Sequence, residues 1–259
     1  MHGCEFLTHP QDSRNGSDII KAMAEASPIP VQHTQRYEGG RDWLMLWGLG
    51  RREHAEAVAW HVAPGRHAIL WDLGYWGREK RGGYLRLSLD SWHPPQWLDR
   101  TEPDPVRWDA MGIELQDLHD PNGHIVLVGM GPKSHSFLGS HGWELRKFEE
   151  LRRRFPGRRI VFRPKPNRPA AQVPCEIHQG ALGDVLRGAS LVVCRHSNVG
   201  IDAVVRGIPV ECEDGAATWL HGKTYDHATR LDFLRRLAWW QWKTTDAPEA
   251  WQFILKVAA

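Results

Sequence analysis

Ser190-Leu191-Val192-Val193-Cys194-Arg195-His196-Ser197-Asn198-Val199-Gly200-Ile201-Asp202-Ala203-Val204-Val205-Arg206-Gly207-Ile208-Pro209-Val210 is the stretch that decides the fold. Leu191–Cys194 is short, apolar and rich in β-branched residues, the pattern of a strand buried on both faces of a parallel sheet. Ser197 is placed to cap a helix whose apolar positions Val199, Ala203 and Val204 face that sheet. Gly207 ends the helix, Pro209 prevents its continuation, and Ile208-Pro209-Val210 opens a second strand. The result is one strand–helix–strand step, whose helix starts at the carboxyl edge of the sheet with unpaired N–H groups and a positive dipole end. That edge suits an anion. His196, Ser197 and Asn198 stand at the turn with further donors, and Gly200 leaves room for a ligand or for a close-packed strand. A plain cap at Ser197 and a plain packing role for Gly200 satisfy the same positions equally well.

The same alternation extends outward on both sides. Residues 1–16 are polar and unpatterned and read as an arm or loop, after which Ser17 caps a helix to about Ala26, stopped by Pro28 and Pro30. Trp43–Trp47 reads as a strand, Gly48-Leu49-Gly50 as a turn, Arg52–Ala63 as a helix and His67–Trp71 as the next strand, giving a parallel unit with a crossover. Asp72–Arg78 leaves that strand as a loop, and Tyr84–Asp90 alternates like a half-exposed strand ending in the polar Asp90-Ser91-Trp92-His93-Pro94. The turn cluster Asp120-Pro121-Asn122-Gly123 separates two patterned regions, which places domains at 1–121 and 122–227. His124–Val128 and Arg159–Arg163 are strands around a helix at Gly142–Phe155, and a further helix lies near Leu182–Arg187. Residues 228–242 and 246–257 read as two final helices in a 228–259 segment. Strands alternating with helices argue an α/β class with parallel sheets.

Bulk properties narrow the function classes. The chain has 259 residues, with no apolar run of membrane-spanning length and no charged-then-apolar start, so a cytoplasmic protein is expected. Cys4, Cys175, Cys194 and Cys212 are widely spaced without a Cys-x-x-Cys pair, so neither a disulfide nor zinc is expected. The net charge is only +2, yet Arg146–Arg168 holds ten Lys or Arg and only two acids, Glu149 and Glu150, which points to a local basic face. The 14 Trp are several times ordinary usage. Trp43, Trp47, Trp60 and Trp71 fall on apolar elements and read as core. Trp76, Trp92, Trp97 and Trp108 fall in loops, where an indole can stack on a sugar or base or pack under the loop.

His196–Ala203 followed by Arg206–Val210 resembles the donor-binding helix of GT-B glycosyltransferases, especially the capsule-polysaccharide type and relatives in bacteriophages. The resemblance covers about twenty residues. It implies a GT-B-like fold: two small Rossmann-like domains with parallel sheets facing a cleft, and C-terminal helices packing back on the first domain. It also implies that the hydroxyl-bearing turn holds the diphosphate of a nucleotide sugar, a UDP-sugar being favoured, with no further cofactor. Gly129-Met130-Gly131-Pro132-Lys133-Ser134 offers mobile backbone, a cation and a hydroxyl after a strand, although it is no P-loop. Arg163-Pro164-Lys165-Pro166 offers two cations after the next strand. Gly131, Lys133, Ser134, Arg163, Lys165, His196, Ser197, Asn198 and Asp202 are the expected donor set. No Asp-x-Asp metal motif is present, so metal-free stabilisation of the leaving group by cations and a helix dipole is the consistent mechanism. Glu211-Cys212-Glu213-Asp214 reads as a ribose contact or a cap.

Inverting transfer needs a carboxylate or His to take the acceptor proton. Asp90 is the first choice, Asp72 the second, and His93 completes the set. Asp72–Trp76, Tyr84–Asp90 with His93-Pro94, and Leu237–Trp242 resemble small bacteriophage glycosyltransferases that modify DNA, which implies a 5-hydroxymethylpyrimidine acceptor such as hydroxymethylcytosine. Arg78, Lys80, Arg81 and Arg86 are then expected to meet phosphates, and Tyr75, Trp76 and Trp92 a flipped base. A polysaccharide-type transferase with a saccharide acceptor is the nearest alternative. A nucleotide-dependent oxidoreductase ranks lower, because Gly48-x-Gly50 lacks the rest of the dinucleotide fingerprint. A DNA-binding module without enzymatic activity would not need three phosphate-facing loops.

Overall fold

The computed structural model describes residues 3–8, 16–49, 51–78, 82–168 and 171–259. The chain divides into two compact units, one formed by residues up to Asp104 together with Arg236–Ala259, the other by Pro105–Arg235. The turn at Asp120–Gly123 therefore lies inside the second unit. Gln116 N–H donates to Val205 O and Leu118 N–H to Arg206 O, both at 2.8 Å, and the buried Arg230 guanidinium donates to Gln116 O at 2.9 Å and pairs with Asp117. These bonds hold the 113–120 segment to the second unit, a tie that turn chemistry alone does not reveal.

The first unit has a six-stranded sheet. Its strands are β1 (Cys4–Leu7), β2 (Val31–Thr34), β3 (Trp43–Trp47), β4 (His67–Leu73), β5 (Leu85–Leu89) and β11 (Gln241–Trp242), in the order β11-β5-β4-β3-β1-β2. β2, β1, β3 and β4 are parallel, whereas β5 runs antiparallel to both β4 and β11. The sheet is therefore mixed rather than wholly parallel. Helices α1 (Ser17–Glu25), α2 (Arg52–His61) and α9 (Ala247–Ala258) belong to the same unit.

β1 overturns the reading of the first residues as an arm where they are described, residues 1–2 and 9–15 lying outside the described residues. It is a four-residue inner strand, buried throughout, and its one charged residue, Glu5, is 1% exposed. The Glu5 carboxylate accepts hydrogen bonds from Thr34 Oγ1 at 3.0 Å, Glu38 N–H at 2.8 Å and Gly39 N–H at 3.0 Å. Three donors offset the loss of water, so a charged residue occupies a strand that periodicity rejects. β5 is likewise buried along its whole length, because it is paired on both edges and not half-exposed. Residues 241–242 are strand, not helix: α8 (His227–Ala238) stops before them, residues 239–240 turn, and Gln241 pairs with Arg86. Trp240 stacks edge-on against Phe253 of α9 at 5.2 Å, and Trp251 Nε1 donates to Met23 O at 2.6 Å. Trp71 is fully buried, as expected, but Trp60 is 68% exposed, on the outer face of α2. Trp97 and Trp108 do not lie in loops: Trp97 is buried on a 3-10 helix at Pro95–Arg100, and Trp108 is buried on a short helix at Pro105–Ala110.

The second unit has a five-stranded parallel sheet of β6 (His124–Val128), β7 (Ile160–Arg163), β8 (Glu176–Ile177), β9 (Ala189–Cys194) and β10 (Val210–Cys212), in the order β10-β9-β6-β7-β8. Helices α4 (Pro132–Leu138), α5 (Trp143–Arg154), α6 (Leu182–Leu186) and α7 (Val199–Val205) connect the strands, after the short α3 (Pro105–Ala110). The chain leaves β6 toward β7 on one side, then returns to β9 on the other. That reversal is a topological switch point, where loops after adjacent strands part and leave a crevice at the carboxyl edge. Beneath it lies a core of Ile125, Leu127, Trp143, Phe148, Leu151 and Phe162.

Glu5→Ala removes the acceptor from two backbone N–H groups and leaves a cavity. We expect a loss of about 3–4 kcal/mol in urea unfolding, and a smaller loss for Glu5→Gln, which keeps one acceptor oxygen.

Candidate functional site

Register brings the second unit's loops together. Val128 lies opposite Arg163, and Gly129 N–H donates to Arg163 O at 2.9 Å, so β6 and β7 end level with one another. A Cβ on Gly129 would stand 2.7 Å from the buried Phe162 ring, so only glycine fits there. The loop is shorter than its sequence suggests. Pro132 occupies the first turn of α4, which places Lys133 and Ser134 on a helix, Lys133 exposed and Ser134 buried.

Arg163 ends β7 and is 8% exposed. Its Nη1 donates to His178 O at 3.2 Å, and it pairs with no carboxylate among the described residues. Lys165 lies along Gly131, its Cδ 3.0 Å and its Nζ 3.6 Å from where a Gly131 Cβ would be. Gly131 is therefore the space the Lys165 side chain occupies. Neither Lys133 nor Lys165 makes an ion pair or hydrogen bond among the described residues. Three cations without counter-charge thus stand around the exits of β6 and β7.

The turn after β9 differs by one residue from the expected one: α7 (Val199–Val205) has Asn198, not Ser197, at its N-cap position. Ser197 Oγ accepts from Val199 N–H at 3.2 Å, which leaves its own proton free to donate. His196 and Asn198 flank it, and Asp202 lies in the first turn of α7; all three are half-buried. Gly200 is a packing residue, since its Cβ would meet Cys194 Sγ at 3.1 Å and Val210 Cγ2 at 3.3 Å.

The acids in and just after β10 are held by the protein's own cations. Glu213 accepts from Trp143 Nε1 and from Lys147, each at 2.8 Å, Glu211 takes both Nη groups of Arg154, and Asp214 pairs with Arg195. The Lys147 and Arg154 hydrogen bonds hold the Glu150 carboxyl below its usual range, and Glu211 holds Arg154 above its own. The basic run of the sequence is thus no single face. Lys147 and Arg154 neutralise acids, Arg159 pairs with Glu176 near the amino edge, and Arg163 and Lys165 reach the carboxyl edge.

One pair at this edge escaped the sequence reading. Glu144 is buried, and its Oε1 accepts from Met130 N–H at 2.9 Å and meets His135 Nε2 at 3.0 Å. It thereby fixes the glycine loop from behind. The signal was present: Glu144 stands on the same helical stripe as Phe148 and Leu151, an acid on an apolar face.

In the first unit the strand reversal separates the two candidate carboxylates. Asp72 lies opposite Arg86, near the carboxyl end of β4, whereas Asp90 follows β5 and lies beside His67 and Ala68 at the start of β4. Asp90 has a left-handed φ of 61°; its Oδ1 accepts from Ala68 N–H and its Oδ2 meets His67 Nδ1, both at 2.8 Å. It closes the amino edge of the sheet. Asp72 is 36% exposed; its Oδ1 accepts from Leu73 N–H at 2.7 Å and its Oδ2 from Arg86 Nη2 at 3.0 Å.

Arg86, expected to meet DNA phosphates, is 5% exposed and faces inward. Its Nη1 lies 3.4 Å from both ring nitrogens of the buried His93, and Tyr75 Oη is 3.0 Å from His93 Nδ1. Tyr75 is fully buried, so it offers no face to a base. Trp76 and Trp92 are half-buried, and Arg78 is exposed with its Nε bonded to Tyr75 O. Lys80 and Arg81 lie outside the described residues. The buried Gln241 accepts at Oε1 from Tyr75 and Trp76 N–H, which sets the loop that follows Asp72.

No family model matches the sequence, and no curated protein matches it. Among solved structures, the KpsC β-Kdo 2,7 transferase of Thermosulfurimonas dismutans is similar over 100% of both chains, at 17% identity and a TM-score of 0.58. The KpsC β-Kdo 2,4 transferase of the same organism is similar over 92% of this chain and 90% of its own, at 14% identity and a TM-score of 0.54. These likenesses show the fold, a GT-B-like α/β architecture of two units.

Proposed function

We propose that this chain is a glycosyltransferase whose second unit holds the anionic part of a nucleotide-activated sugar and whose first unit supplies the acceptor chemistry through Asp72. The observation that carries the reading is the set of cations without counter-charge, Arg163, Lys133 and Lys165, around a switch-point loop. Burying the Arg163 charge without a carboxylate is costly unless an anion arrives, and the exposed Lys133 and Lys165 add attraction beside it. The Ser197 hydroxyl and the N–H groups of its turn add donors on the neighbouring loop. Such preset charges stabilise a departing phosphate without reorganising during the reaction, and no step requires a metal.

Both oxygens of each acid are hydrogen-bonded, but Asp72 is better suited than Asp90 to receive the acceptor proton because its side chain is 36% exposed against 13%. The likeness to Kdo transferases favours a saccharide acceptor and an acidic sugar in the donor. A DNA acceptor is the second reading. It rests on Arg78, Trp76 and Trp92, since Arg86 and Tyr75 are buried. Turnover with nucleotide-activated Kdo or UDP-sugars, offered with Kdo-ended oligosaccharides, hydroxymethylated DNA or plain DNA, separates the two readings. Transfer only to hydroxymethylated DNA establishes the second.

Lys133→Ala and Lys165→Ala should each weaken nucleotide-sugar binding about 5–30-fold in calorimetry, with a smaller effect at high salt. Unchanged affinity in both removes the cation argument. Asp72→Asn should lower kcat about 10²–10⁴-fold with donor affinity retained, while Asp90→Asn should lower thermal stability and leave kcat per folded molecule within a few-fold.

A further inference from the structure

We infer that Arg86 is a positioning residue for the Asp72 carboxylate, backed by His93 and Tyr75; this rests on the reading of Asp72 as the acceptor-facing group. Among the described residues the guanidinium has one carboxylate partner, Asp72 Oδ2 at 3.0 Å, and sits opposite it across the β4–β5 ladder. Asp72 Oδ1 is tied to Leu73 N–H, so the two bonds together fix the carboxyl plane. One face of the group stays open to solvent, where an acceptor hydroxyl can reach it.

Arg86 is poorly built as a structural ion pair. Its Nε is buried without a hydrogen-bond partner, and Nη1 meets His93 only at 3.4 Å. A guanidinium offers donors and no acceptor, so the His93 nitrogen that meets it must accept. Tyr75 Oη stands beside Nδ1, so the imidazole is held between Tyr75 and Arg86. The Tyr75 ring lies 5.7 Å from the guanidinium carbon and closes the other side. Tyr75 is in turn held through its backbone N–H by Gln241, which itself pairs with Arg86 across β5 and β11. Each neighbour limits where the guanidinium can move, and the guanidinium limits where Asp72 can move.

A buried cation with unfilled donors contributes little to stability, and replacing it with an apolar side chain of similar length is often neutral or stabilising. Asp72 is exposed enough to be hydrated once its partner is gone. Arg86→Met should therefore keep or raise the melting temperature, while kcat falls about 10²-fold and donor affinity is unchanged, the loss expected when a reacting group is displaced by about 1 Å. Arg86→Lys, which keeps the charge without the planar fork, should fall between wild type and Arg86→Met.

The test measures melting temperature, donor affinity and turnover for Arg86→Met, Arg86→Lys, Asp72→Asn and the Arg86→Met/Asp72→Asn double variant. Nucleotide-activated Kdo is the donor, with a Kdo-ended oligosaccharide and hydroxymethylated DNA as alternative acceptors. If Arg86 acts through Asp72, adding Arg86→Met to Asp72→Asn costs nothing further. Wild-type turnover in Arg86→Met, additive losses in the double variant, or a melting temperature that collapses while each folded molecule keeps its activity overturns the positioning role. Full turnover in Asp72→Asn overturns the reading of Asp72 itself and the role of Arg86 with it.

Discussion

The level ending of β6 and β7 is the constraint from which the chemistry of the second unit follows. Val128 stands opposite Arg163, and the Gly129 N–H bond to Arg163 O locks that register. Slipping either strand by one residue would turn its side chains to the other face. It would also separate Lys165 from Gly131, on which its side chain lies. Cys212 stands opposite Cys194 on the other side of the switch point, so the turn after β9 leaves from the same edge. Burial raises the Cys4 thiol to about 12, and the Cys212 thiol together with burial lifts Cys194 well above the usual thiol range, so these sulfurs behave as apolar packing. Residues 133, 163, 165 and 197 all end or follow strands at the carboxyl edge of one sheet, because its five short strands are parallel.

The first unit uses the opposite device. Its parallel strands are followed by an antiparallel one, so the two ends of β5 serve different edges. The start of β5, with Arg86, faces the carboxyl end of β4 and works on Asp72. The end of β5, with Asp90, returns to the amino end of β4 and secures it through Ala68 and His67. Chemistry that a parallel reading assigns to one place is divided between two. Gln241 completes the arrangement from the far end of the chain, since β11 both extends the sheet and sets the loop after Asp72.

How far the sequence reveals this depends on whether the information is local. The β9–α7–β10 step was legible because strand, turn, helix and stop each carry their own residues, from Leu191–Cys194 to Gly207 and Pro209. The glycine loop and the cations after β6 and β7 were legible for the same reason. β1 was not, because a four-residue strand with a glutamate inside is explained only by Thr34, Glu38 and Gly39, some thirty residues away. The direction of β5 was not legible either: alternation marks a strand but not which way it runs beside its neighbour. That single unknown assigned Asp90, Arg86 and Tyr75 to the wrong surroundings.

The buried charged groups of this fold differ in how many hydrogen bonds they make. Glu5 has three donors, and Arg66 Nη2, though its Nε is orphaned, meets Tyr37, Gly39 and His61 at 2.9–3.0 Å; both stitch loops to the sheet of the first unit. Arg86 has one firm bond and a buried, unfilled Nε. Glu144 leaves Oε2 unfilled while its other oxygen fixes the Met130 N–H behind the glycine loop. An incompletely bonded buried charge costs stability, and a hydrocarbon side chain could fill either place with less cost. The firm bond of Arg86 goes to Asp72, and Glu144, which also meets His135 Nε2, holds the Gly129–Gly131 loop, each a group at the carboxyl edge of its sheet. The stability forgone goes into the placement of those groups.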